Sequence, residues 1–172
     1  MKILIIYATR TGVSRRCAQM LSDRLDADAM TVDLFDIENA PPSPEKYDVC
    51  VIGGSIRMGA LNKKLKKYLK EHAEALNAMH TALFLCCGLS ESVDDYITLQ
   101  IPKNIIPSLE IHYFGGEVKP DNAKGLDKLI LKAMRSSIKE VDFEDPDPND
   151  DPLPEIIPEN ISRLADRIRG LL

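Results

Sequence analysis

Apolar and polar positions along this chain alternate between two periods. Residues 2–7, Lys-Ile-Leu-Ile-Ile-Tyr, form a nearly unbroken apolar run rich in β-branched side chains, which predicts a central parallel strand covered on both faces. From Val13 the period lengthens. Val13, Cys17, Leu21 and Leu25, with Ala18 beside Leu21, share one helical stripe. Met30–Phe35 reads as a second strand by alternation, and its return, Asp36–Lys46, holds Pro41, Pro42 and Pro44, so any helix there is short. Asp48–Gly53 predicts a third strand. It opens into Gly53-Gly54-Ser55-Ile56-Arg57-Met58-Gly59, which reads as a flexible, glycine-rich turn able to hug a ligand.

The second half repeats the pattern. Leu61, Leu65, Tyr68, Leu69, His72, Ala73 and Leu76 predict one helix, with Lys63, Lys64, Lys66, Lys67 and Lys70 turned outward. Thr81–Gly88 is a fourth strand, followed by the polar run Leu89–Tyr96, in which Ser90 or Ser92 is placed to cap a helix. Leu109–Gly115 is a fifth strand. A helix beginning at Asp121 or Asn122 has Leu126, Leu129, Ile130, Ala133 and Met134 on one face. The stretch 140–158 is acidic and proline-rich, holds no Lys or Arg, and cannot be a helix. A last helix starts near Pro158 and aligns Ile161, Leu164, Ala165, Ile168 and Leu171. Five strands alternating with helices predict an α/β fold, a doubly wound five-stranded parallel sheet with helices on both faces.

Composition narrows the class. A chain of 172 residues, 44% hydrophobic and 28% charged, suits a single globular domain over 1–172 that needs no metal or disulfide. No apolar run is long enough to span a bilayer, and Met1 leads directly into a strand, so a cytoplasmic location and no integral membrane segment are expected. Cys17, Cys50, Cys86 and Cys87 all fall inside predicted elements, the setting of reduced, packed thiols. Adjacent cysteines on a strand point to opposite faces, so Cys86 and Cys87 read as packing residues rather than a redox pair. The net charge of -5 argues against nucleic acid and against anionic membrane as partners. The five lysines read as a solvated helix face, since no aromatics are interleaved among them. His72 falls on the apolar stripe and reads as a packed side chain. His80 and His112 stand apart from metal-ligand spacings, so no metal site is expected.

Chemistry concentrates where the first strand becomes the first helix, at Ala8-Thr9-Arg10-Thr11-Gly12-Val13-Ser14. The first N–H groups of a helix lack intrahelical partners and the dipole end is positive, so a phosphate dianion can collect several N–H bonds there. Thr9, Thr11 and Ser14 can add O–H donors, and Gly12 lets the backbone approach closely. Capping of the helix by Thr11 or Ser14 is the plain alternative. Gly-x-Gly-x-x-Gly is absent, which favours a phosphate monoester over a pyrophosphate.

Thr-x-Thr-Gly-x-Ser at 9–14 resembles the first FMN-binding loop of the flavodoxins, Ser/Thr-x-Thr-Gly-x-Thr/Ser, and sits at the end of the first strand as in that family. The resemblance spans at least Lys2 to Tyr113 and implies a flavodoxin-like fold with FMN as cofactor. By it, residues Thr9, Arg10, Thr11, Gly12, Val13 and Ser14 hold the FMN phosphate, while Ser55, Ile56, Arg57, Met58 and Gly59 and then Cys87, Gly88, Leu89 and Tyr96 flank the isoalloxazine ring. Within the family, Gly-Gly-Ser-Ile-Arg-Met-Gly before a Lys-rich helix looks most like the flavodoxin-type, menaquinone-dependent protoporphyrinogen oxidases. The implied function is an FMN-dependent oxidoreductase or electron carrier. Its partner would be a redox protein or a small acceptor such as a quinone; the oligomeric state, a homodimer included, stays open.

Arg57, a cation among glycines at a ligand edge, could stabilise an anionic reduced flavin, hold a substrate carboxylate, or form a surface ion pair. A non-enzymatic alternative is a flavodoxin-like interaction module with weak or no flavin binding, since the chain has no Trp and Met58 stands where an aromatic often stacks. Two other uses of such a sheet are excluded by particular residues. A phosphoacceptor domain needs an Asp where Gly53 and Gly54 stand, and a small tyrosine phosphatase needs Cys and Arg bracketing the first loop, whereas Cys17 lies inside the helix.

Overall fold

The computed structural model describes residues 1–26, 30–57, 60–87, 97, 99–105, 108–116 and 155–172. Its strands are β1 (Lys2–Ala8), β2 (Thr31–Asp36), β3 (Val49–Ser55), β4 (His80–Cys86) and β5 (Leu109–Tyr113). The named helices among these residues are α1 (Val13–Leu25), α2 (Lys63–Glu71), α3 (Ala73–Asn77) and α4 (Pro158–Arg169). All neighbouring strands run parallel, in the order β2-β1-β3-β4-β5. The order reverses between β1 and β3, and such a switch point opens a crevice outside the carboxyl ends of the two strands.

Each sheet face builds its own core because β1 is apolar on both sides. Ile3, Ile5 and Tyr7 face one layer with Val13, Cys17, Ala18, Leu21 and Leu25 of α1 and Ile161, Leu164, Ala165 and Ile168 of α4. Leu4, Ile6 and Ala8 face the other, against Leu65, Tyr68 and Leu69 of α2, Ala73 and Leu76 of α3, and Ile97, Ile101 and Ile105 further along the chain. The predicted core stripes of α1 and α4 are the buried ones, except Leu171, which lies beyond α4 and is exposed.

Two local readings are corrected. Gly53 and Gly54 are not a turn: β3 continues through both, in register with Tyr7 and Ala8 on one side and Phe84 and Leu85 on the other. Their missing side chains leave room for neighbours. A Cβ at Gly53 would stand 1.9 Å from the Phe84 ring, and one at Gly54 would stand 2.7 Å from Leu65 Cδ1. The helix expected from Leu61 to Leu76 divides at His72, whose backbone (φ -109, ψ 17) ends α2 before α3 begins. The His72 ring is half-buried and tilts against Tyr68 at 4.3 Å. The helix expected after Asp121 and nearly all of the acidic stretch lie outside the described residues.

Candidate functional site

Three loops leave β1, β3 and β4 at one level of the carboxyl edge, because Ala8 is in register with Gly54 and Ser55 with Cys86. The first loop is the most completely determined. Gly12 adopts φ +91, a backbone that L side chains rarely take, and a Cβ there would meet nothing within 4 Å. The Gly12 N–H donates to Thr9 Oγ1 at 2.9 Å, so the Thr9 hydroxyl shapes the bend. Gly12 itself is the N-cap of α1, with no side-chain cap bond. Neither Thr11 nor Ser14 performs the capping role.

The first helical bond runs from the Arg16 N–H to the Gly12 carbonyl at 2.9 Å. The N–H groups of Val13, Ser14 and Arg15 lie ahead of it, unused by the helix at its positive end. Ser14 adds a second feature. Its side chain is buried and its Oγ has no hydrogen-bond partner. The hydroxyl is near enough to the Cys86 thiol to draw its pKa down, against larger upward effects. Cys86 in turn donates to Cys17 at 3.7 Å, and that bond, with burial, pushes the Cys86 thiol well up. All four cysteines are unbridged and buried.

The second loop begins at Ser55. The Ile56 N–H donates to the Cys86 carbonyl at 3.0 Å, and Arg57 and Ala60 exchange two backbone bonds of 3.0 Å. That bridge fixes Arg57 at the rim, where burial first and the charge of Arg10 second hold its guanidinium below the usual pKa. Arg10, from the first loop, is near enough to Arg57 to add to that effect. Met58 and Gly59 lie outside the described residues.

The third loop is described only at its root. The Cys87 N–H donates to the Gly115 carbonyl at 2.9 Å, and the Tyr113 hydroxyl donates to the Cys87 carbonyl at 2.6 Å. Gly88, Leu89 and Tyr96 lie outside the described residues. Sequence reasoning missed Tyr113, Gly115 and Asn160 as supports of this root. Asn160 Nδ2 donates to the Tyr113 carbonyl at 2.7 Å, and a Cβ at Gly115 (φ +77) would stand 2.1 Å from the Glu155 carbonyl oxygen. The pair Gly115-Gly116 closing a strand was the one available signal.

Among the described residues no three His, Cys, Asp or Glu side chains gather to hold a metal ion. His112 is less isolated than its spacing suggests, because Glu110 shares its face of β5 and meets Nε2 at 2.8 Å.

An open parallel sheet in the order β2-β1-β3-β4-β5, with a separate apolar core on each face, defines an α/β protein of the doubly wound class. The family profile of the flavodoxin domain matches residues 4–145, and the chain belongs to that family. Over 85 residues it is 35% identical to the protoporphyrinogen IX dehydrogenase [quinone] of Escherichia coli strain K12, a stretch covering 49% of this chain and 47% of that protein. The match therefore spans about half the length of the curated relative. Among solved structures, the flavodoxin of Streptococcus pneumoniae TIGR4 is similar over 100% of both chains at a TM-score of 0.55 and 13% identity. The two-electron reduced flavodoxin of Megasphaera elsdenii is similar at a TM-score of 0.53 and 18% identity, covering 74% of this chain and 94% of that one. At such identities these structures establish the shared fold.

Proposed function

We propose that this protein binds FMN at the carboxyl edge and acts as a flavin-dependent oxidoreductase that passes electrons to a quinone-type acceptor. The observation that carries the reading is the mouth of α1: three first-turn N–H groups unused by the helix, beside a buried Ser14 hydroxyl that has no partner. Both are features that a phosphate monoester would complete. The N–H groups of Val13, Ser14 and Arg15 and the hydroxyls of Thr11 and Ser14 would hold the phosphate. Thr9 keeps the bend and Gly12 supplies its φ. Ser55, Ile56 and Arg57 would flank the ring on one side and Cys87 on the other. The sequence adds Met58, Gly59, Gly88, Leu89 and Tyr96 to this set.

FMN, when bound, supplies reversible hydride and electron chemistry at its ring. The residues of the chain bind and orient it, and Arg57 with Arg10 keeps positive potential at the rim, where charge on a reduced flavin or an acidic substrate would be favoured. No side-chain nucleophile is needed. The quinone acceptor rests on the likeness to the Escherichia coli protoporphyrinogen IX dehydrogenase [quinone].

The test is reconstitution. Flavin-free protein is titrated with FMN and with riboflavin while flavin fluorescence is followed. FMN should quench stoichiometrically and riboflavin should bind at least tenfold more weakly, because it lacks the phosphate. No FMN binding, or equal binding of the two, overturns the reading. Anaerobic reduction followed by a panel of quinones and porphyrinogen then separates an enzyme, which turns over with the small molecules, from a carrier, which passes electrons only to a protein.

A further inference from the structure

We infer that Tyr113 is a positioning residue for the flavin: its hydroxyl holds the Cys87 carbonyl at the exit of β4 and thereby tunes the reduction potential of the bound ring. The inference rests on the FMN reading above, which sets Cys87 beside the ring. The contact itself stands on the geometry of the pairing between β4 and β5. Tyr113 is in register with Leu85, and one step on the Phe114 N–H donates to the Leu85 carbonyl at 3.0 Å. Evenly spaced parallel bonds would put the next such donor two residues further, from Gly116 to the Cys87 carbonyl. That N–H is spent elsewhere. The chain turns at Gly115 (φ +77), and the Gly116 N–H donates to the Glu155 carbonyl at 3.0 Å. The Tyr113 hydroxyl takes its place, donating to the Cys87 carbonyl at 2.6 Å.

Cys87 is thus tied to the β5 side twice, its N–H by the Gly115 carbonyl at 2.9 Å and its carbonyl by the Tyr113 phenol. Tyr113 is itself held by the start of α4. Asn160 Nδ2 donates to the Tyr113 carbonyl at 2.7 Å, and the Ile157 N–H donates to the Phe114 carbonyl at 2.9 Å. Burial first, and then the neighbouring Cys87 and Cys86 thiols, raise the Tyr113 pKa, so the phenol keeps its proton and remains a donor. The work of the hydroxyl is electrostatic. It covers the negative end of the Cys87 carbonyl dipole, which would otherwise stand bare at the flank of the ring and disfavour the electron-rich reduced flavin.

The experiment measures the reduction potential of the FMN-loaded full chain by anaerobic dye equilibration. In the flavin-free chain it measures amide hydrogen exchange of the peptide that begins at Cys87. Wild type, Tyr113→Phe, Asn160→Ala and Tyr47→Phe are compared. One lost hydrogen bond is worth up to about tenfold, so Tyr113→Phe should bind reduced FMN up to about tenfold more weakly relative to oxidised FMN, a two-electron potential lower by as much as about 30 mV. Exchange at the loop root should rise by a similar factor while β1 and β3 exchange as in wild type. Asn160→Ala keeps the phenol but loosens its strand, so both readings should move the same way by less, and it carries the test alone if the phenylalanine variant does not fold. Tyr47→Phe removes a different phenol bond, to Asp33 at 2.8 Å and ahead of β3, and should leave the potential unchanged. A Tyr113→Phe potential at or above the wild-type value, unchanged exchange at the root, or an equal fall in Tyr47→Phe overturns the proposal and leaves the flavin reading intact. A wild type that binds no FMN overturns both.

Discussion

Replacing Ser14 by alanine should move stability and cofactor affinity in opposite directions. The Ser14 hydroxyl is buried without a hydrogen-bond partner in the protein, and an unsatisfied buried polar group costs about 1–3 kcal/mol. The weak contact with the Cys86 thiol recovers part of that cost. Removing the oxygen leaves little void, since Ser and Ala differ by one atom, so a gain of about 1 kcal/mol is expected. For a chain of this length that corresponds to a melting temperature higher by roughly 2–4 °C. With FMN the sign reverses. A hydroxyl donating to a phosphate dianion makes a charge-assisted bond of roughly 1.5–3 kcal/mol, so the variant should bind FMN about ten- to a hundredfold more weakly. Calorimetric melting of the stripped protein and fluorescence titration with FMN read the two effects separately. A stripped variant less stable than wild type would show that the hydroxyl is satisfied without ligand. Unchanged FMN affinity would show that it does not reach the phosphate. Either result overturns the assignment of the Ser14 hydroxyl to the phosphate.

Three further outcomes follow from named contacts. Thr11→Ala should weaken FMN binding by a similar ten- to hundredfold factor without raising the melting temperature, which fluorescence titration and calorimetry check together. Gly53→Ala should destabilise the fold by about 1–3 kcal/mol through overpacking against Phe84, and Phe84→Leu in the same chain should recover part of the loss in urea unfolding. The Tyr47 pKa is pushed up to about 12 by burial, by its hydrogen bond to Asp33 and by the Asp33 charge. The folded state thus holds this proton more tightly than the unfolded one, whose tyrosine titrates near 10. The contribution is fully present below pH 10 and is lost as the pH rises towards 12. Tyr47→Phe should flatten that stretch of the alkaline unfolding curve.

Much of the fold was legible because its strands and helices differ in period. The run 2–7, the stripe from Val13 to Leu25 and the stripe after Pro158 each have one structural solution, and register and layer follow from them. The doubled glycine at 53–54 was misread for a physical reason. A missing side chain serves a bend or a close approach equally well, and only Phe84 and Leu65, distant in sequence, decide between them. The break at His72 was invisible because apolar spacing continues across it, carried by Ala73 and Leu76. In the first loop the donors were readable as residue types, but the division of labour was not. Thr9 bends the loop and Gly12, rather than Thr11 or Ser14, stands at the N-cap, an arrangement set by the loop backbone rather than by residue type.

The packing of α4 on α1 has a consequence for how the protein is made. The Arg24 Nε donates to Ser162 Oγ across 138 positions at 3.0 Å, and the apolar stripe of α1 is closed by Ile161, Leu164, Ala165 and Ile168. On a ribosome adding about 5–20 residues per second, α1 waits roughly 7 to 28 s with one flank bare. The flank of α1 that packs on α4 therefore stays open until a segment 138 positions further along has been made, so the two helices can close that layer of the core only after the strands between them exist.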